Sequence, residues 1–132
     1  MDPYGNGRLA FILATTGMLW SLALVPAAFL FPAYGGEAST STGATVHTTD
    51  TLVGVNGPWA VALFVPPVLL AAVAWLGLHR SCSSGSRFGR LLGQGAAWLL
   101  LAFAVFSFSA GFLVLPAALL LVVAALRTPA SA

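Results

Sequence analysis

Apolar residues run almost unbroken through three stretches of the chain, residues 9–33, 59–78 and 91–126, and every charged residue lies outside them. The hydrocarbon core of a bilayer is about 30 Å thick, so a helix rising about 1.5 Å per residue crosses it in about 20 residues. The first two stretches meet that length. The third holds no charged residue over positions 91–126, and as a single helix it would be about 54 Å long, carrying apolar surface far beyond the membrane. It must fold back, and SFSAG at positions 107–111 offers the break. The pattern predicts an all-α membrane protein: a four-helix transmembrane bundle, one domain over residues 1–132, with spans at 9–33, 59–78, 91–107 and 111–126.

A secretory signal also places a basic residue before an apolar run, and VPA at positions 25–27 has the small-x-small form of a cleavage site. Signal cores are about 7–15 residues long. The first stretch is longer, so it is read as a retained span.

Composition agrees with the pattern: 59% of residues are hydrophobic and 6% are charged, too few charges for a soluble domain. Orientation follows from the basic residues, all of them arginine. With four spans, Arg8, Arg80, Arg87, Arg90 and Arg127 fall on one side, and basic loops stay in the cytoplasm. Both termini and the loop at 79–90 are therefore expected inside, and the loop at 35–57 outside. Tyr34 and Trp59 then sit at the outer boundary, and Trp75 and Phe88 near the inner one. Arginine without lysine, with abundant Ala, Gly and Pro, fits a GC-rich bacterial genome and hence a bacterial cytoplasmic membrane.

The spans contain no ionisable residue, whereas proton relays and ion pathways are usually built on one. Gln94 is the strongest polar side chain within a span, followed by Thr15, Thr16, Ser21, Ser107 and Ser109. Cys82 is the single cysteine, so no disulfide, redox pair or thiolate cluster can form within one chain. His79, at the inner end of the second span, suits the negative end of the helix dipole. Glu37, His47 and Asp50 form a polar cluster in the outer loop, but ligands scattered along a flexible segment lack the fixed geometry a metal site needs. No catalytic residue, cofactor or metal site is assigned, and neither a phosphate loop nor a nucleic-acid-binding surface is present.

Within the outer loop, positions 37–43 read as a flexible Ser/Thr linker, and the Thr- and Val-rich positions 45–55 as one or two short strands, a small β-hairpin over the helix ends. Asn56 and Gly57 favour a turn, and Pro58 suits the first position of the second helix. With TLVGVNG at positions 51–57 following a first span and a Ser/Thr-rich loop, the chain resembles a set of small, uncharacterised bacterial membrane proteins, chiefly actinobacterial. That resemblance implies the four-span layout and brings no activity with it. Position 54 is glycine where a polar or acidic residue would be expected of the set.

Helices in lipid associate through small residues four apart. Gly89, Gly93 and Ala97 form one such stripe, and Ala10 with Ala14 and Gly17 with Ser21 form two staggered pairs. The prolines define a second pattern. Counted from the arginines, Pro26, the adjacent Pro66 and Pro67 of FVPPVLL, and Pro116 all lie in the outer half of the membrane. Pro66 and Pro67 should free the carbonyls of Ala62 and Leu63, and Pro26 that of Leu22, while Pro116 should fall harmlessly in a first turn. The four are expected to line a shallow outward-facing cavity beneath the loop.

These features point to a noncatalytic accessory or structural component of the lipid bilayer, whose loop and small-residue stripes contact another membrane protein or a second copy. Two alternatives are an oligomeric unit passing ions or small solutes along hydroxyls, Gln94 and proline-freed carbonyls, and a sensor whose outer loop binds a ligand.

Overall fold

A computed structural model describes residues 3–30, 32–39, 43, 45–107 and 110–128. Helix α1 (Pro3–Leu30) leads into strands β1 (Pro32–Ser39) and β2 (Thr45–Thr51), which form an antiparallel two-stranded ribbon. A short helix α2 (Leu52–Asn56) and a 3-10 helix (Pro58–Phe64) precede α3 (Val65–Ser84), α4 (Arg87–Phe106) and α5 (Ala110–Arg127). The runs Gly7–Leu30, Pro58–Ser84 and Arg87–Phe106 are long and apolar enough to cross a membrane, and Gly111–Arg127 is a shorter apolar helix. By length and composition this is a helical, multi-pass membrane protein.

The long helices alternate in direction. The C-terminal part of α3 meets the N-terminal part of α4 where Gly77 abuts Gly89 and Gly93, and the start of α4 meets the end of α5 where Gln94 reaches Ala125. Phe11 of α1 meets His79 of α3, and four residues on Thr15 meets Trp75, four residues back, so the two run antiparallel; Trp20 of α1 bonds to Leu113 near the start of α5. All five arginines therefore lie at one end of the bundle, and the ribbon joins the helices at the other.

The interior is built largely of alanine. Ala71, Ala74, Ala97, Ala117, Ala118 and Ala124 are wholly buried, with Leu100, Leu121 and Val114 filling the space between them, while Leu30, Trp59, Phe88, Phe106 and Phe112 face outward. Small residues inside and large ones outside suit lipid, where helices gain by close contact of their backbones and nothing by hiding leucine.

Several boundaries depart from the sequence expectation. Helix α1 ends at Leu30, and Pro32 and Ala33 belong to β1. Pro32 has no N–H to continue a helix and biases the preceding residue toward extended backbone. Strand β1 includes positions 37–39, expected as linker, because β2 supplies its hydrogen-bonding partners. Of the rest of that linker, positions 40–42 lie outside the described residues.

The Thr-rich strand stops at Thr51, whose Oγ1 accepts a hydrogen bond from the Gly54 N–H at 3.1 Å and so caps α2. Gly57 ends α2 by donating its N–H to the Val53 carbonyl at 2.8 Å, and Pro58 opens the 3-10 helix as expected.

The loop expected at 79–90 contracts to Gly85 and Ser86. Ser84 Oγ donates to the Arg80 carbonyl at 2.7 Å as α3 runs on. Gly85 then turns the chain in the left-handed region at φ 63°, and Ser86 Oγ accepts from the Gly89 N–H at 3.1 Å, starting α4 four residues earlier than position 91. The break between α4 and α5 falls where expected: the Ser107 N–H donates to Phe103 at 2.9 Å, and a Cβ at Gly111 would overlap the Ala104 carbonyl. Ser109 lies outside the described residues.

Candidate functional site

The expected proline layer resolves into three different situations. Pro66 and Pro67 stand in the first turn of α3, directly after the 3-10 helix, where a missing N–H costs little. The Val65 N–H donates to the Ala62 carbonyl, so that carbonyl, expected to be free, is satisfied by a bond one residue shorter than an α-helical one. Pro26 lies inside α1. Pro116 also lies inside α5, not in its first turn, because α5 already begins at Ala110; it leaves the Phe112 carbonyl without its helical donor. The adjacent carbonyl, Leu113, accepts from Trp20 Nε1 at 3.0 Å, a donor supplied by a neighbouring helix. Pro67 is buried, whereas Pro26, Pro66 and Pro116 are exposed.

Polar side chains within the helices are engaged in tethers. Trp75 Nε1 donates to Thr15 Oγ1 at 3.1 Å, Gln94 Nε2 to the Ala125 carbonyl at 3.3 Å, and Thr16 Oγ1 to the Ile12 carbonyl of its own helix at 2.9 Å. Ser21 Oγ is fully buried and has no hydrogen-bond partner among the described residues. His79 lies within α3, more than a turn before its end, so it does not cap the helix. Its ring stacks on Trp75 with centroids 5.5 Å apart and planes 5° from parallel, and Phe11 lies tilted beside both, 5.5 Å from His79 and 6.4 Å from Trp75.

In the ribbon, Glu37 and His47 are register partners, and Asp50 pairs with Tyr34. Among the described residues no group of three metal-ligating side chains occurs.

Helices α3 and α4 approach each other most closely at the arginine end. A Cβ on Gly77 would lie 2.6 Å from the Gly93 nitrogen and 2.7 Å from the Gly89 oxygen, and one on Gly93 would lie 2.9 Å from the Leu78 nitrogen. Gly89 and Gly93 thus face α3, and Ala97 is buried one turn on. Gly77 is their counterpart and was not marked by the small-residue pattern, although Gly77 and Ser81 are themselves small residues four apart. On the outer side of this crossing a cavity of about 180 Å³ is lined by Val73, Leu76 and Arg80 of α3, by Phe88 and Leu92 of α4, and by Gly77, Gly89 and Ser86. None of the four prolines lines it.

The arrangement can hold helices together and offer lipid a groove with a cationic rim; among the described residues it assembles no nucleophile with a base. No family model, curated protein or solved structure matches the chain.

Proposed function

We propose that the protein is a four-span, noncatalytic accessory or structural component of a bacterial cytoplasmic membrane, with both termini and the α3–α4 turn in the cytoplasm and the ribbon outside. The observation that carries this reading is the use of Trp20, Trp75, Thr15 and Gln94 to bind helix to helix, which leaves little polar surface to line a path. The fourth span is supported by the packing of α5, whose Val114, Ala117, Leu121 and Ala124 are wholly buried against helices that are themselves long enough to cross. The orientation is supported by five arginines at one end. In this reading the ribbon and the outward faces meet a second membrane protein, and the likeness to small actinobacterial membrane proteins belongs to the same proposal.

Crosslinking in the native membrane should recover one dominant heterologous partner; recovery of the chain alone, with liposomes that pass ions or small solutes in a manner altered by Gln94→Leu, would replace this reading with the permeation unit. Orientation is tested with an impermeant maleimide. Cys82, exposed near the end of α3, should react only when the cytoplasmic face is open, and Thr49→Cys in a Cys82→Ser background only from outside.

A further inference from the structure

The groove between α3 and α4 has two chemically distinct parts. Its floor is the backbone at Gly77 and Gly89, where no side chain fills the crossing, and its walls are Val73, Leu76, Phe88 and Leu92. All four wall residues are exposed on the outer surface of the bundle, so the groove opens onto lipid. An apolar cavity of about 150 Å³ admits a benzene ring, and this one, at about 180 Å³, is of a size for a segment of acyl chain.

Its rim is Arg80 and Ser86. The Ser86 oxygen accepts from the Gly89 N–H, which leaves its O–H to donate outward. Arg87 follows directly; of the three acidic residues, Glu37 and Asp50 belong to the ribbon at the other end, and Asp2 lies outside the described residues. A guanidinium presents a fork of donors that matches phosphate.

We infer that this groove is a binding site for an anionic phospholipid, with part of one acyl chain between Val73, Leu76, Phe88 and Leu92 and the phosphate at Arg80 and Ser86. The apolar walls and the cationic rim lie in the order that a lipid presents them, chain inside and headgroup at the surface. Free phosphate would use the rim and leave the walls empty, and a zwitterionic lipid would use the walls but gain less from the rim. The inference rests on the arginine end lying at a membrane surface, not on the accessory role.

The test is native mass spectrometry of the delipidated protein titrated with dioleoyl phosphatidylglycerol, dioleoyl phosphatidylcholine or inorganic phosphate. One phosphatidylglycerol should be retained in preference to phosphatidylcholine. Arg80→Gln should weaken phosphatidylglycerol by about five-fold, the contribution of one arginine near an anionic surface, and leave phosphatidylcholine unchanged. Leu76→Trp and Val73→Trp, two independent ways of filling the groove at lipid-exposed positions, should lower retention of both lipids, while Arg127→Gln should change neither. Equal retention of the two lipids by the wild type, an Arg127→Gln effect as large as that of Arg80→Gln, or phosphate binding without lipid preference would overturn the site.

Discussion

Replacing Gly77 by alanine adds one methyl group at the tightest point of the α3–α4 crossing. The new carbon would sit 2.6 Å from the Gly93 nitrogen, about 0.8 Å inside the 3.4 Å at which ordinary contact begins, and 2.7 Å from the Gly89 oxygen. Both obstacles are backbone, so no side chain can rotate away, and α3 and α4 must part. A separation of 0.5–1 Å forfeits a quarter to a half of each contact's attraction along the seam, and overpacking of this kind costs about 1–3 kcal/mol. In water, the higher helix propensity of alanine would return about 1 kcal/mol. In a bilayer the separated helices are already helical, so that gain largely cancels and the packing loss stands at about 2 kcal/mol. Gly95→Ala is the control, because a Cβ there meets nothing within 4 Å. Unfolding in mixed micelles by increasing denaturing detergent, followed by fluorescence of Trp20 and Trp75 at their helix interfaces, should show Gly77→Ala clearly destabilised and Gly95→Ala near wild type. Equal stability of the two variants would refute the argument that backbone contact sets the α3–α4 distance.

Three further outcomes are expected in the same assay. A double-mutant cycle of Trp75→Phe with Thr15→Val should give a coupling of about 0.6 kcal/mol, the usual worth of a hydrogen bond between membrane helices; zero coupling would remove the 3.1 Å bond from the account of how α1 docks on α3. Gly57→Asn should lose about 1–3 kcal/mol, since φ 76° with ψ −179° is a backbone region essentially restricted to glycine, whereas Gly85→Asn at φ 63°, ψ 19° should lose less than about 1 kcal/mol, because asparagine enters the left-handed region readily. Ser21→Ala removes a buried hydroxyl that has no hydrogen-bond partner among the described residues and should raise stability by about 1 kcal/mol, and a loss of that size would reveal a partner for the hydroxyl.

The helical segments were legible because bilayer thickness imposes a length on any apolar run, and the turn at Gly57 and Pro58 because both residues have narrow backbone preferences. The limits of the helices were less so. Arg87 to Arg90 read as loop because charge marks membrane exit, yet a helix can continue past that boundary once Ser86 satisfies its first free donor. Pro32 ended α1 earlier than hydropathy alone indicated, since hydropathy does not register a missing N–H. Gly77 escaped notice because a search within one helix cannot show which residue on the neighbouring helix it will touch. The groove at Arg80 depended on the same unseen pairing. Pro116 departs from the first-turn expectation for a simpler reason: counted from position 111 it is already the sixth residue of its span, and α5 begins one residue earlier still.

The connection through Gly85 and Ser86 bears on the order in which the chain assembles. Helices α3 and α4 are neighbours in sequence and can close as soon as both have been synthesised, because local contacts require little loop closure. Helix α1 is in a different position, since its partner residues Trp20 and Leu113 are 93 residues apart. Until α5 emerges, the stripe of Ala10, Ala14, Gly17 and Ser21 that α5 will cover faces lipid. Helix α5 is thus the one that closes these four helices, and until it does the stripe stays open to an α5 from another copy.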